Sequence, residues 1–218
     1  MMHRPPRGTA GRRSRPAHPW PVRLCHWLGA IAMIMMIMSG WQIYNASPLL
    51  PFRFSRSITL GGWLGGAIAW HLAAMWLLLA SGLGYLAYGL LSGHFRRDLL
   101  PITPGAVGRD LLAALTFRLE HRSGSYNAVQ KLMYAGVLLV ATLTVLTGFS
   151  IWKPVQLHYL TGLFGGYDVA RALHFTGMSL IVAFLVVHLT LVLIVPSTLL
   201  GMLTGGRRET ALHGSERP

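Results

Sequence analysis

The chain has 218 residues, of which 53% are apolar and only 11% are charged, and its mean hydropathy of +0.49 excludes an ordinary water-soluble domain. The net charge of +13 would indicate nucleic acid in a soluble protein, but here the basic residues lie in the segments between apolar stretches, so no nucleic-acid partner is expected. The single cysteine, Cys25, excludes an internal disulfide, a thiolate iron–sulfur cluster and a covalently attached c-type haem.

Four apolar stretches, each free of Asp, Glu, Lys and Arg, follow a tail of residues 1–18 that is rich in Arg, Pro and Gly and is expected to be disordered. Each stretch is near or above the roughly 20 residues that a helix needs to cross a membrane. A soluble helical core would need charged faces at helical period, which these stretches lack. We therefore predict an all-α membrane protein. Residues 19–204 form a four-transmembrane-helix bundle, residues 205–218 form a second tail, and the spans are about 24–42, 60–91, 132–152 and 173–200.

The basic residues divide unequally between the two sides of such a bundle. Fifteen of the 19 lie before the first span, between the second and third spans, or after the fourth. The other two loops hold only Arg53, Arg56, Lys153 and Arg171. By the positive-inside rule, both termini and the middle loop are predicted to be cytoplasmic, in a multi-pass protein of the bacterial inner membrane that contacts membrane lipid.

Two features near the span ends add to this outline. The second periplasmic loop, "KPVQLHYLTGLFGGYDVAR", has enough aromatic and apolar residues to pack, so it is a candidate docking surface. Pro196, near the end of the fourth span, predicts a bend towards the basic tail.

Four of the ten histidines, His26, His71, His174 and His188, fall inside spans. A histidine in hydrocarbon must find a partner or remain an unsatisfied polar group. Fourteen residues bring His174 and His188 onto one helix face about 21 Å apart. The direction of each span then places His26 with His188 towards the cytoplasm, and His71 with His174 towards the periplasm.

Two imidazoles at each depth, with no thiolate or intramembrane carboxylate, favour an iron porphyrin with two axial histidines. Three alternatives remain. In the first, each imidazole only forms a hydrogen bond to a neighbouring helix. In the second, the histidines bind a metal or carry protons in a haem-free transporter or anchor. In the third, a Met of the "MIMMIM" run is an axial haem ligand. A zinc site or a proton pathway would more often recruit Asp or Glu as well.

Glycines and arginines extend the predicted site. Gly40 follows His26 by fourteen residues, so the helix face that offers a ligand at one depth offers no side chain at the other, where a flat macrocycle needs room. Gly148 is expected to do the same on the third span. The alternative for both is ordinary helix packing. We expect four arginines to contact haem propionates: Arg23, Arg53, Arg56 and Arg171. The alternative is that their positions reflect only the orientation of the helices in the membrane.

With these residues in hand, the chain resembles the bacterial di-haem cytochrome b family. This family comprises the membrane subunits of formate dehydrogenases, nickel–iron hydrogenases and thiosulfate reductases, together with the bacterial cytochrome b561 group. The resemblance is carried by "HPWPVRLCHWLGAIAMIMMIMSGWQIYN", "AWHLAAMW", "YNAVQKLMYAGVLLVATLTVLTGFSIWKP" and "ARALHFTGMSLIVAFLVVH", which lie within residues 18 to 196. It implies two b haems, one held by His26 with His188 and the other by His71 with His174.

The resemblance also implies a quinone site near the cytoplasmic haem. In the formate dehydrogenase type, an Asn-x-x-Gln-Lys stretch contributes to quinone binding, and here that stretch is Asn127, Gln130 and Lys131. An amide group can bond a quinone carbonyl, whereas the alternative role of such a stretch is to cap a helix. The loop from "GFSIWKP" to "DVAR" looks most like cytochromes that accompany a periplasmic molybdopterin oxidoreductase, and this chain itself has no molybdenum motif.

The expected function is therefore electron relay between membrane quinone or quinol and a periplasmic oxidoreductase partner. Whether the chain is an enzyme by itself is left open. The rival interpretations are a self-contained, quinone-linked superoxide oxidase of the cytochrome b561 type and the b subunit of a hydrogenase.

Overall fold

Four long apolar helices build the molecule in a computed structural model that describes residues 19–93 and 128–205, with Gly105 alone between them. The helices long and apolar enough to cross a membrane are α1 (Trp20–Ala46), α2 (Leu64–Leu91), α3 (Ala128–Trp152) and α5 (Tyr167–Ile194). A six-residue helix, α4 (His158–Leu163), connects α3 to α5, and α6 (Pro196–Thr204) follows α5. The predicted all-α, four-span bundle is confirmed. The tails 1–18 and 206–218 lie outside the described residues.

The starts of the first two long helices differ from the predicted spans, each for a local reason. Helix α1 begins at Trp20 rather than at residue 24, because Pro21 in its first turn fits a helix start. Residues 60–63 are not helical, since Gly61 and Gly62 have positive φ angles of 107° and 70°.

Helix α5 differs at both ends from the fourth predicted span, about 173–200. Helix α5 starts earlier, at Tyr167, so it includes polar residues that the search for an apolar span left out. It ends at Ile194, because the residue before a proline is kept out of the helical region, and Val195 has φ −123° and ψ 76°. The helix is interrupted at the predicted position, Pro196, which separates α6 from α5, and the direction of the bend stays a prediction.

The helices pack as two pairs, α1 with α2 and α3 with α5, and the backbones approach each other less between the pairs. Small side chains permit the close approach of α1 and α2, since Ala32, Ala67 and Ala74 are all fully or almost fully buried. Large side chains such as Leu83 (63% exposed) and Leu193 (79% exposed) point outwards, as expected for helices that contact lipid.

Two connections close one end of the bundle, which we call the loop end and define by residues 47–63 and 153–166. The Asn45 amide bonds both the N–H and the carbonyl of Phe54, at 2.8 and 2.9 Å, and so holds the first connection against α1. Tyr44 stacks on Phe175 of α5 with ring centroids 4.9 Å apart. The opposite end, which we call the terminus end, carries residue 19 and helix α6.

Candidate haem-binding site

The four intramembrane histidines lie at two depths of the bundle. His71 in α2 and His174 in α5 are near the loop end, whereas His26 in α1 and His188 in α5 are near the terminus end. The fourteen residues between His174 and His188 correspond to about 21 Å of helix. The two depths are therefore far enough apart for two separate cofactors.

At each depth the two imidazoles face one another at the same distance. The ring centroids of His71 and His174 are 6.3 Å apart, and those of His26 and His188 are also 6.3 Å apart. Two imidazoles that bind one metal ion from opposite sides, through bonds of about 2.0 Å, have centroids roughly 6 to 6.5 Å apart. Both pairs therefore have the spacing that a shared metal ion requires. The ring planes are inclined to each other by 67° in the first pair and 63° in the second.

Hydrogen bonds at its Nδ1 atom fix the orientation of His174. Its Nδ1 lies 2.9 Å from the Thr144 carbonyl oxygen and 3.3 Å from Thr147 Oγ1. Because a carbonyl oxygen only accepts, Nδ1 carries the hydrogen and donates it. The Nε2 atom of His174 therefore keeps the lone pair that a metal ligand needs.

His71 has the equivalent arrangement on the other helix pair. Its Nδ1 lies 3.0 Å from Ser39 Oγ, and that hydroxyl donates its own hydrogen to the Met35 carbonyl at 2.6 Å. The Ser39 oxygen is thus free to accept from Nδ1–H. His71, like His174, keeps the lone pair on Nε2.

The two predicted glycines lie against the imidazole rings of the His71–His174 pair. A Cβ atom built on Gly40 would lie 3.5 Å from His71 Cε1, and one built on Gly148 would lie 3.1 Å from His174 Cε1. The prediction placed both glycines at this depth. In the structure their immediate neighbours are the imidazole rings, and contact with a macrocycle stays a prediction.

The His26–His188 pair has a different environment. Trp27 meets the His26 ring edge-on with centroids 5.3 Å apart, and Phe184 stacks on His188 at 5.6 Å with 14° between the planes. All four histidines are only partly buried by protein atoms. An aromatic side chain therefore packs against each of the two rings at this depth.

The donor set identifies the kind of metal centre that fits. Within residues 19–93 and 128–205, no three His, Cys, Asp or Glu side chains cluster, so each pair offers two protein nitrogens and no third ligand. A structural zinc site needs four protein ligands, and a catalytic one needs three. A porphyrin brings four in-plane nitrogens and needs only two axial ligands. The residues present therefore fit haem better than they fit a bare metal ion.

Two of the arginines predicted as propionate partners bond backbone carbonyls. Arg23 donates from Nε to the Met202 carbonyl at 3.0 Å and from a terminal nitrogen to the Leu203 carbonyl, at the C-terminal end of α6. Arg171 donates to the Ser47 carbonyl. Arg53 and Arg56 are exposed in the first connection. Propionate contact by any of them stays a prediction.

The predicted quinone residues cannot be compared with the structure. Asn127 lies outside the described residues, and so do the side chains of Gln130 and Lys131.

Sequence reasoning missed the hydroxyl groups behind the imidazoles. Ser39 immediately precedes Gly40, and Thr147 immediately precedes Gly148. The signal was present in the sequence, since "SGW" in α1 and "TGF" in α3 both read hydroxyl residue, glycine, aromatic residue. Each tripeptide stands beside one histidine of the same pair.

The sequence is similar to known proteins over nearly its whole length. The family model described as "Prokaryotic cytochrome b561" matches residues 17–205, which include all four of these histidines. The putative protein-methionine-sulfoxide reductase subunit YedZ1 of Azospira oryzae is 47% identical over 86% of this chain and 96% of that protein. Probable Ni/Fe-hydrogenase B-type cytochrome subunits of Cupriavidus necator and Bradyrhizobium diazoefficiens are 24% and 22% identical, over 77% and 83% of this chain and 74% and 78% of those proteins.

Proposed function

This chain belongs to the prokaryotic cytochrome b561 family, as a haem b protein of the bacterial inner membrane, and we propose that it holds two haems and relays electrons from membrane quinol to a periplasmic oxidoreductase. The observation that carries the proposal is the equal spacing of the two imidazole pairs, 6.3 Å between ring centroids in each. One pair lies near each end of the bundle, so together they offer electrons a route across the membrane.

In this relay the protein binds the haems, orients the histidines that hold them and shields them from water. Haem supplies a one-electron couple when it is bound. His26 and His188 hold one haem, and His71 and His174 hold the other. Because the long helices are apolar on their outer faces, they exclude water from both centres and so limit side reactions and set the local dielectric.

We place quinol oxidation near the terminus end, beside the His26–His188 pair. The support is the resemblance of Asn127, Gln130 and Lys131 to a quinone-binding stretch. An amide and an ammonium group suit the carbonyl and hydroxyl oxygens of a quinone. Oxidation of quinol there would release two electrons and two protons, and a haem held by His26 and His188 would supply the nearest one-electron acceptor.

The proposed partner is a periplasmic methionine-sulfoxide reductase, and the support is the name of the relative that is 47% identical. Reducing a sulfoxide to a thioether consumes two electrons and two protons and releases water, so one quinol balances one turnover. No molybdenum motif occurs in this chain. A molybdopterin centre in this complex would therefore be bound by the partner. The second connection, residues 153–166, is the proposed docking surface.

A second candidate function is that of a hydrogenase cytochrome b subunit. It is favoured by the relatives that are 22–24% identical and carry that name. In that case electrons would flow in the opposite direction, from the partner to quinone.

The test is reconstitution of the relay. The full chain is purified in lipid nanodiscs, reduced with a quinol, and mixed with a purified periplasmic methionine-sulfoxide reductase and methionine sulfoxide. We expect quinol to reduce both haems, and sulfoxide to reoxidise them only when the partner is present. The second candidate would be favoured if hydrogen and a purified hydrogenase reduce the haems and if sulfoxide does not reoxidise them. Haems that quinol does not reduce would contradict the proposal.

A further inference from the structure

Two matching tripeptides support the His71–His174 pair, one from each helix pair. Ser39-Gly40-Trp41 lies in α1 and faces His71, and Thr147-Gly148-Phe149 lies in α3 and faces His174. In both tripeptides the glycine leaves room for the imidazole ring, and the preceding hydroxyl reaches its Nδ1 atom. The two halves of the bundle therefore hold their histidines in the same way.

Both hydroxyls are set to accept a hydrogen bond. Ser39 Oγ donates to the Met35 carbonyl at 2.6 Å, and Thr147 Oγ1 donates to the Leu143 carbonyl at 2.9 Å, each four residues back on its own helix. Such a bond uses the single hydrogen of the hydroxyl, so its oxygen has only lone pairs to offer to a neighbour. An imidazole N–H is the group that this oxygen can satisfy.

The two hydroxyls are not equally important for their histidines. Ser39 Oγ lies 3.0 Å from His71 Nδ1. Thr147 Oγ1 lies 3.3 Å from His174 Nδ1, whereas the Thr144 carbonyl lies closer, at 2.9 Å. The hydroxyl is thus the main hydrogen-bond acceptor at His71 and the secondary one at His174.

We propose that Ser39 and Thr147 are positioning residues that keep the hydrogen of His71 and His174 on Nδ1 and lower the midpoint potential of the haem between these histidines. The proposal rests on the proposed two-haem function. A histidine whose N–H is hydrogen-bonded becomes a more basic ligand at its other nitrogen. A more basic axial ligand stabilises ferric over ferrous iron, which lowers the potential.

The other histidine pair lacks this support on α5. Within residues 19–93 and 128–205, the His188 ring makes no hydrogen bond, and it stacks on Phe184 instead. Changes at Ser39 or Thr147 should therefore act on only one of the two haems. The unaffected haem serves as a reference within the same molecule.

The experiment compares the full, haem-loaded chain with variants in nanodiscs by potentiometric optical titration and by electron paramagnetic resonance of the ferric haems. Ser39→Ala and Thr147→Val remove the hydroxyls, and Ser39→Thr restores one. Ser150→Ala is the matched control, because Ser150 is also 0% exposed but bonds Thr161, 3.0 Å away, rather than an imidazole.

We expect Ser39→Ala to raise the midpoint potential of one haem and shift its ferric signal, with a smaller effect in Thr147→Val and none in Ser150→Ala. Ser39→Thr should return both readings to those of the unmodified chain. Loss of one haem in Ser39→Ala that Ser39→Thr reverses also supports the proposal. Unchanged potentials and signals in Ser39→Ala, equal shifts in both haems, or a loss that Ser39→Thr does not reverse would overturn it. If the unmodified chain binds fewer than two haems, the proposed function fails before any variant is compared.

Discussion

At the scale of single residues, the two glycines beside the imidazoles differ in the room they leave. A Cβ at position 148 would lie 3.1 Å from His174 and needs the ring to move, whereas a Cβ at position 40 would be in ordinary contact with His71 at 3.5 Å. We predict that Gly148→Ala lowers the occupancy, or changes the reduced spectrum, of one haem, and that Gly40→Ala is tolerated. The measurement is haem content and optical spectrum per purified chain.

Gly82→Ala is the control for this comparison, since nothing lies within 4 Å of a Cβ at that helical position. Replacing an unconstrained helical glycine by alanine stabilises a protein by about 0.4–1 kcal/mol. Gly82→Ala should therefore leave the haems unchanged. A Gly148→Ala variant with the spectrum and haem content of Gly82→Ala would mean that the ring beside position 148 moves freely.

The histidine pairs were predictable, whereas the hydroxyls behind the His71–His174 pair left only a weak signal in the sequence, the two matching tripeptides. Four imidazoles in apolar helices need partners, and span direction alone brings His26 near His188 and His71 near His174. Ser39 and Thr147 need no partner from another helix, because a hydroxyl in a membrane helix can donate to a carbonyl of its own helix. Both hydroxyls do so. Their second role depends on which neighbour faces them, and that is fixed only by packing.

At the scale of helices, Arg23 joins the start of α1 to the end of α6. Its guanidinium donates to the Met202 and Leu203 carbonyls, and the Trp27 indole N–H approaches Met202 at 3.5 Å. Cations stabilise helix C-termini, and hydrogen bonds from charged groups contribute about 1.5–3 kcal/mol. We predict that Arg23→Ala releases α6 and leaves α5 in place. Amide hydrogen exchange in α6 should then rise by about tenfold for each 1.4 kcal/mol lost.

Arg56→Ala is the matched control, because Arg56 is an exposed arginine of the first connection, at the loop end. It should leave exchange in α6 unchanged. If Arg23→Ala also leaves that exchange unchanged and instead shifts the potential of one haem, Arg23 is a propionate partner rather than a tether for α6.

Helix boundaries were the least predictable feature, because hydropathy marks the apolar part of a helix and not its hydrogen-bonded length. Helix α5 begins at Tyr167 and includes Asp168 and Arg171, which no apolar span would contain. The second predicted span starts too early, at residue 60, for the opposite reason. Residues without charge continue through Gly61 and Gly62, but the backbone there is not helical. Pro196 was predicted correctly, because its effect on the preceding residue is local.

At the scale of the whole molecule, the histidines join two helix pairs that otherwise make few close backbone contacts. Each imidazole pair takes one ring from the α1–α2 pair and one from α5 of the other pair. A haem bound at each depth would therefore tie the halves of the bundle together. The orientation in the membrane stays a prediction from the unequal distribution of basic residues.

The haem content of the purified chain and of two histidine variants tests the central claim most directly. The unmodified chain should contain two b haems, and His71→Ala and His26→Ala should each lose one while keeping the other. The two singly loaded variants should differ in reduced spectrum, because the His71–His174 and His26–His188 pairs have different neighbours. A chain that binds one haem or none, or a His71→Ala variant that keeps both haems with unchanged spectra, would contradict the paired-imidazole account.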